Sequence, residues 1–175
     1  LDEIGVNAND AVLGIAASGR TPYVLGAMVE ARRRGALVAG LACTHPSPLA
    51  ELVDIMIAPL VGPEVVAGST RMKAGTAQKL VLNTLTTAVM IRMGKTFGNL
   101  MVDVRPVNSK LRQRAINIVA TATGVSRDEA RDLLIAANQE PKTAIVMALA
   151  NVDADEARRR LAASSGHVRP ALGNP

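Results

Sequence analysis

Five apolar residues, Ala11–Ile15, run straight into the small-residue turn Ala16-Ala-Ser-Gly-Arg-Thr21, and Pro22 opens a helical stretch to about Arg34. Few folds accept this succession. A short apolar run bounded by polar residues reads as a buried strand. Thr21 then stands at the N-cap, Pro22 at the first helical position and Gly35 at the stop. The pattern repeats: a second strand at Leu37–Ala42, a short helix near Leu49–Val53 and a third strand at Asp54–Ala58. Strands alternating with helices make parallel βαβ units, which places the chain in the α/β class. Three strands are few for that class, and helices on both faces are only partly provided, so the chain is expected to begin inside a larger protein.

A loop at Pro59–Gly68 leads to a long helix from about Thr70 to Met93. Leu80, Val81, Leu82, Leu85, Val89, Met90 and Ile91 cover most of its circumference, which predicts a largely buried helix. Gly98–Pro106 reads as an ordered connection. Beyond it the pattern is purely helical, at Ser109–Ala122, Ser126–Ala137, Lys142–Ala150 and Ala154–Ala163, with capping-box spacing at Ser126/Glu129 and Asp153/Glu156. A boundary near 103–108 therefore divides an α/β domain (1–105) from a small helical domain with a tail (106–175), the tail being Ser164–Pro175.

Tyr23 and Phe97 are the only aromatic residues, so aliphatic side chains must build the cores and ring stacking is not expected to hold a ligand. The net charge of +5 raises the question of nucleic acid, but the basic residues are spread out and stacking platforms are missing. A small anion suits the charge better. The single Cys43 excludes an intrachain disulfide and reads as a small buried residue. His45 and His167 lie far apart, so no metal site is expected. The start carries acids where a leader would be basic, and the run at 79–93 is too interrupted to span a membrane. A reduced, cytoplasmic setting follows.

Two loops carry candidate chemistry. Ser18, Gly19, Arg20 and Thr21 lie between a strand and a helix start, where unpaired N–H groups and the helix dipole favour an anion. Gly19 lets a backbone approach, the hydroxyls donate, and Arg20 adds charge. An ordinary turn in which Thr21 caps the helix is the competing reading. The second loop, Gly62–Thr76, places Arg71 and Lys73 at the expected start of the long helix, where cations oppose the dipole unless an anion sits beside them. Ser69 and Thr70 are good caps. Glu64 can pair with a cation or hydrogen-bond sugar hydroxyls. Elsewhere, Arg32–Arg34 and Arg158–Arg160 read as solvated faces, and Asp103 and Arg105 as a pair.

At these loops a family resemblance enters. Gly14–Val24 resembles the Ser-Gly-x-Thr phosphate loop of sugar isomerase (SIS) domains. Gly62–Asn83 resembles the signature shared by N-acetylmuramic acid 6-phosphate etherases and the glucokinase regulatory protein, and Gly94–Asp103 and Lys142–Met147 are also similar to the etherases. The resemblance implies a three-layer, parallel-sheet, Rossmann-like SIS domain, incomplete at its N-terminus, followed by a small all-α, ubiquitin-associated-like bundle. It implies a lyase of amino-sugar catabolism and peptidoglycan recycling. Such an enzyme removes D-lactate from N-acetylmuramic acid 6-phosphate to leave N-acetylglucosamine 6-phosphate, as a homodimer without cofactor or metal.

The resemblance also implies a sugar-phosphate pocket lined by Ser18, Gly19, Arg20, Thr21, Glu64, Ser69, Thr70, Arg71 and Lys73. Ala16 replaces the usual leading serine. No acid here matches the family's acid/base glutamates, which would precede Leu1, so no catalytic residue is assigned. The rival reading is a sugar-phosphate-sensing regulator related to the glucokinase regulator. A DNA-binding regulator is disfavoured because no recognition-helix domain is visible.

Overall fold

The computed structural model describes residues 1–173. Strand β1 (Ala11–Ile15), helix α1 (Pro22–Arg33), strand β2 (Leu37–Leu41), helix α2 (Pro48–Leu52) and strand β3 (Ile55–Ile57) follow one another as expected. The three strands form a parallel sheet in the order β1-β2-β3, with Leu13 beside Ala39 and Ala39 beside Ile55. Sequential order with right-handed crossovers puts both helices on one face.

That face presents Val12, Gly14, Val38, Gly40 and Met56 by strand alternation, and it packs with Met28, Ala31 and Leu49 into a small aliphatic core. Two glycines set how close the helices come. A Cβ on Gly14 would lie 2.9 Å from Val24 Cγ1 and Met28 Sδ, and one on Gly40 would lie 3.0 Å from Leu49 Cγ. The opposite face carries Ile15, Leu37 and Ile55, all part-exposed. The one-sided covering anticipated for this sheet is thus what the described residues show.

Helix α3 (Lys73–Arg92) begins three residues later than the expected Thr70 and is not the buried helix its composition predicts. Ala74 is its only buried residue, while Leu80, Leu85, Val89, Met90 and Ile91 are 40–55% exposed. Its apolar circumference is that of an enclosed helix, yet no element among the described residues encloses it. The chain groups into two compact units, Leu1–Leu85 and Thr86 onward, and the division falls inside α3. The sequence-based boundary, near 103–108, lies later.

In the second unit a two-stranded antiparallel hairpin, β4 (Thr96–Phe97) and β5 (Leu100–Met101), precedes α4 (Ser109–Thr123), α5 (Arg127–Ala136), α6 (Pro141–Ala150), α7 (Ala154–Ala163) and α8 (Val168–Ala171). Asn108, Ser126 and Asp153 each accept a backbone N–H in the first turn of the helix they cap. Helix α6 lies at the centre, with Thr143–Val146 buried. The expected tail is a correction: from Ser164 the chain folds into α8, whose Val168 and Ala171 enter this unit's core, because two apolar residues three apart share a helix face. The last two residues of that tail lie outside the described residues.

The basic runs are accounted for locally. Arg32 pairs with Asp54 at 2.6 Å, Arg33 and Arg34 pair with Glu30, and Arg34 also pairs with Asp2. Both guanidiniums hold the Glu30 carboxyl down to about 2. The expected Asp103–Arg105 pair is not formed. Asp103 meets Lys95 at 2.8 Å and Lys142 at 4.0 Å instead, because the hairpin and the start of α6 bring those ammonium groups to it.

The glycine contacts yield a test. Gly14→Val should cost the first unit about 1–3 kcal/mol, since Val24 is β-branched and cannot swing aside. Urea unfolding of the variant against the parent measures it.

Candidate functional site

Both candidate loops lie at the C-terminal ends of parallel strands, where open α/β sheets place their ligand crevices. The turn after β1 is closed by a bond from the Gly19 N–H to the Ala16 carbonyl, 2.8 Å, with Gly19 at φ +65°. The N–H groups of Ala17, Ser18, Arg20 and Thr21 have no intramolecular acceptor among the described residues. Thr21 is the N-cap of α1, but its side chain makes no capping bond. The competing reading, in which the hydroxyl is consumed by capping, is therefore not realised. Ser18, Arg20 and Thr21 are exposed, and α1 adds the free amides of its first turn. Such a cluster of donors can take a phosphate group.

The second loop is arranged differently from expectation. Glu64 reaches forward and caps α3, its Oε1 accepting from the Ala74 N–H at 3.0 Å and its Oε2 from the Lys73 N–H at 3.1 Å. These bonds, that from Ala74 foremost, hold its carboxyl below the ordinary 4.5. A resident carboxylate thus takes the dipole position that an external anion was expected to fill. Ser69 and Thr70 stand before the helix rather than on it. The Ser69 hydroxyl accepts from Arg71 Nε at 3.1 Å, which steadies the guanidinium. Arg71 and Lys73 are exposed, and neither is in an ion pair among the described residues.

Cys43 joins the two loops. Its N–H donates to the Ala17 carbonyl at 2.8 Å, and its Sγ lies 3.8 Å from the Ala74 carbonyl. The first turn and the start of α3 therefore flank one residue at the end of β2. Burial, then the Glu64 charge, pushes the Cys43 thiol up, which disfavours its thiolate form.

One cleft of about 550 Å³ lies in the helical unit and contains none of these residues; Asp103, Arg105, Glu140, Lys142 and Arg158 line it. Arg158 bonds Glu140 at 3.2 Å, so its acids and bases largely answer one another. No cluster of three metal-ligating side chains occurs among the described residues, and no helix there is long and apolar enough to cross a membrane.

Comparison with known proteins decides the family. Residues 5–88 match the SIS domain, and residues 98–143 match the C-terminal lid domain of glucokinase regulatory protein. An N-acetylmuramic acid 6-phosphate etherase of Aliivibrio fischeri (strain MJ11) is 58% identical over 99% of this chain and 58% of its own length. That of Rubrobacter xylanophilus is also 58% identical, over 99% of this chain and 57% of its own, and that of Aliivibrio salmonicida 57%, over 99% and 58%. The chain belongs to the N-acetylmuramic acid 6-phosphate etherase family. It spans somewhat less than three fifths of the length of these etherases. The fold is that of an SIS domain followed by a helical part. The regulator reading is not favoured, because relatives at this identity carry the etherase name.

The Glu64 cap has a pH consequence. A carboxyl whose folded pKa lies below its unfolded value contributes stability above about pH 4.5, and that contribution is lost as pH falls through the folded value. Melting temperature should therefore drop on acidification below about pH 4.5, and Glu64→Gln should flatten part of that drop. Thermal melts across the acid range check it.

Proposed function

We propose that the protein is a lyase that cleaves the D-lactyl ether of N-acetylmuramic acid 6-phosphate, giving N-acetylglucosamine 6-phosphate and D-lactate. The observation that carries this reading is identity near 58% along 99% of the chain to etherases of Aliivibrio fischeri and Rubrobacter xylanophilus, spanning both loops. The free donors of the first turn add independent support for a phosphate ester.

In this proposal the N–H groups at Ala17–Thr21, with the hydroxyls of Ser18 and Thr21 and the charge of Arg20, hold the phosphate, while Gly19 keeps the turn open to it. Arg71, steadied by Ser69, and Lys73 supply positive charge at the second loop, with Thr70 beside them. Glu64 serves as the cap that fixes these groups in place, which is a supporting part rather than a contact with sugar hydroxyls.

Lactate leaves by elimination beside the sugar aldehyde, and water then adds at the same carbon. Proton abstraction next to a carbonyl asks for a base, and the departing lactate for an acid. We assign neither to this chain. Its residues bind the substrate, orient it and offset its charge. A homodimer, acting in the cytoplasm where sugar phosphates are made and kept, belongs to the same proposal, as does a place in peptidoglycan recycling.

Incubation of the full-length protein with N-acetylmuramic acid 6-phosphate, assayed for D-lactate, tests the reading. Release is expected, and no release under conditions where a known etherase works would remove the assignment. Arg71→Ala should weaken phosphosugar binding about tenfold, the scale of a lost charge-assisted bond, with an unchanged melting temperature. Calorimetric titration reads the affinity.

A further inference from the structure

Ser47 stands at the N-cap of α2, only 4% exposed, and its Oγ is buried with no hydrogen-bond partner. A serine at this position ordinarily accepts from the second or third amide of its helix. Here both amides are already served, Leu49 N–H by the Gly19 carbonyl at 3.0 Å and Ala50 N–H by the Ser47 carbonyl at 2.9 Å. The hydroxyl is therefore not a cap. Stability does not account for it either, because an unsatisfied buried hydroxyl costs its desolvation, and alanine would avoid that cost.

Its surroundings give it a use. A Cβ built on Gly19 would lie 2.6 Å from both the Cβ and the Oγ of Ser47, so the hydroxyl sits directly beneath the turn whose outward amides have no acceptor. We propose that Ser47 is a positioning residue of the phosphate-binding turn, its buried hydroxyl held for a hydrogen bond to the turn's backbone that forms when a phosphate monoester fills it. This rests on the function proposed above.

The physical argument is a difference between two states. An anion on the outer side of Ala17–Thr21 draws the amides outward, and the carbonyls of the same peptide units, those of Ala17 and Gly19 already inward, adjust on the inner side within reach of the hydroxyl. Gly19, at φ +65° and without a side chain, is where the turn can shift. The bonds already present, from Cys43 N–H to Ala17 O and from Leu49 N–H to Gly19 O, hold the turn on either side of the hydroxyl. A bond made only in the occupied state adds wholly to affinity, whereas one made in both states adds nothing. The orphaned hydroxyl thus weakens the free protein slightly and strengthens the complex, a trade met at functional sites.

The test separates affinity from stability. Parent and Ser47→Ala are titrated calorimetrically with N-acetylglucosamine 6-phosphate and, separately, with unphosphorylated N-acetylglucosamine, and both are melted without ligand. Ser47→Ala should melt at or above the parent temperature yet bind the phosphosugar about tenfold more weakly. Equal affinity would leave Ser47 as packing alone and overturn the proposal. If Ser47→Ala melts lower, Ser47→Cys keeps the volume with a poorer donor, and equal affinity in that variant overturns the proposal too. A parent that does not prefer the phosphorylated sugar fails at an earlier point, since that outcome removes the functional reading itself.

Discussion

The turn after β1 depends on a pair of backbone bonds that cross from one βα connection to the next. Cys43 N–H to Ala17 O and Leu49 N–H to Gly19 O stitch the segment after β1 to the segment after β2. Without them the turn would be an ordinary mobile connection. With them, the carbonyls of Ala17 and Gly19 are turned inward, and the amides of Ala17, Ser18, Arg20 and Thr21 are left without an acceptor among the described residues. Preorganised donors cost little reorganisation when a ligand arrives, which is why such turns bind anions well. The small residues of Ala16–Gly19 permit the stitching, since bulk at Gly19 would collide with Ser47.

Much of this was legible in the amino-acid order because it rests on short-range rules. The strand, turn and helix at 11–34 followed from an apolar run, a small-residue turn and a proline at the first helical position, and each occurs within a residue or two of its expected place. The caps at Ser126 and Asp153 were equally local. The chain's family is legible too, because a long signature around the second loop is far more specific than any periodicity.

What stayed hidden depends on distant partners. An apolar circumference predicts burial for α3, but burial needs something to lie against, and the sequence of one helix does not supply it. Asp103 chose Lys95 and Lys142 over its near neighbour Arg105, since only the folded chain brings those lysines to it. Glu64 looked like a ligand group for the same reason: its ten-residue reach to the Ala74 amide appears only after the intervening loop has folded back. Ser47 gives no sequence signal of its role at the turn. A serine before Pro48 reads as a cap, and only the competing carbonyls reveal that it is not one.

The reach of Glu64 has a mechanical side. Its two oxygens fasten the loop's beginning to the loop's end, so residues 64–74 form a closed noose rather than a free span. Closing a loop removes configurational freedom that the open strand would keep. Any force that unravels the opening turn of α3 therefore also slackens the segment bearing Ser69 and Arg71. The setting of that guanidinium depends on a helix end two residues away, and fraying there would be felt as blurred electrostatics around Arg71.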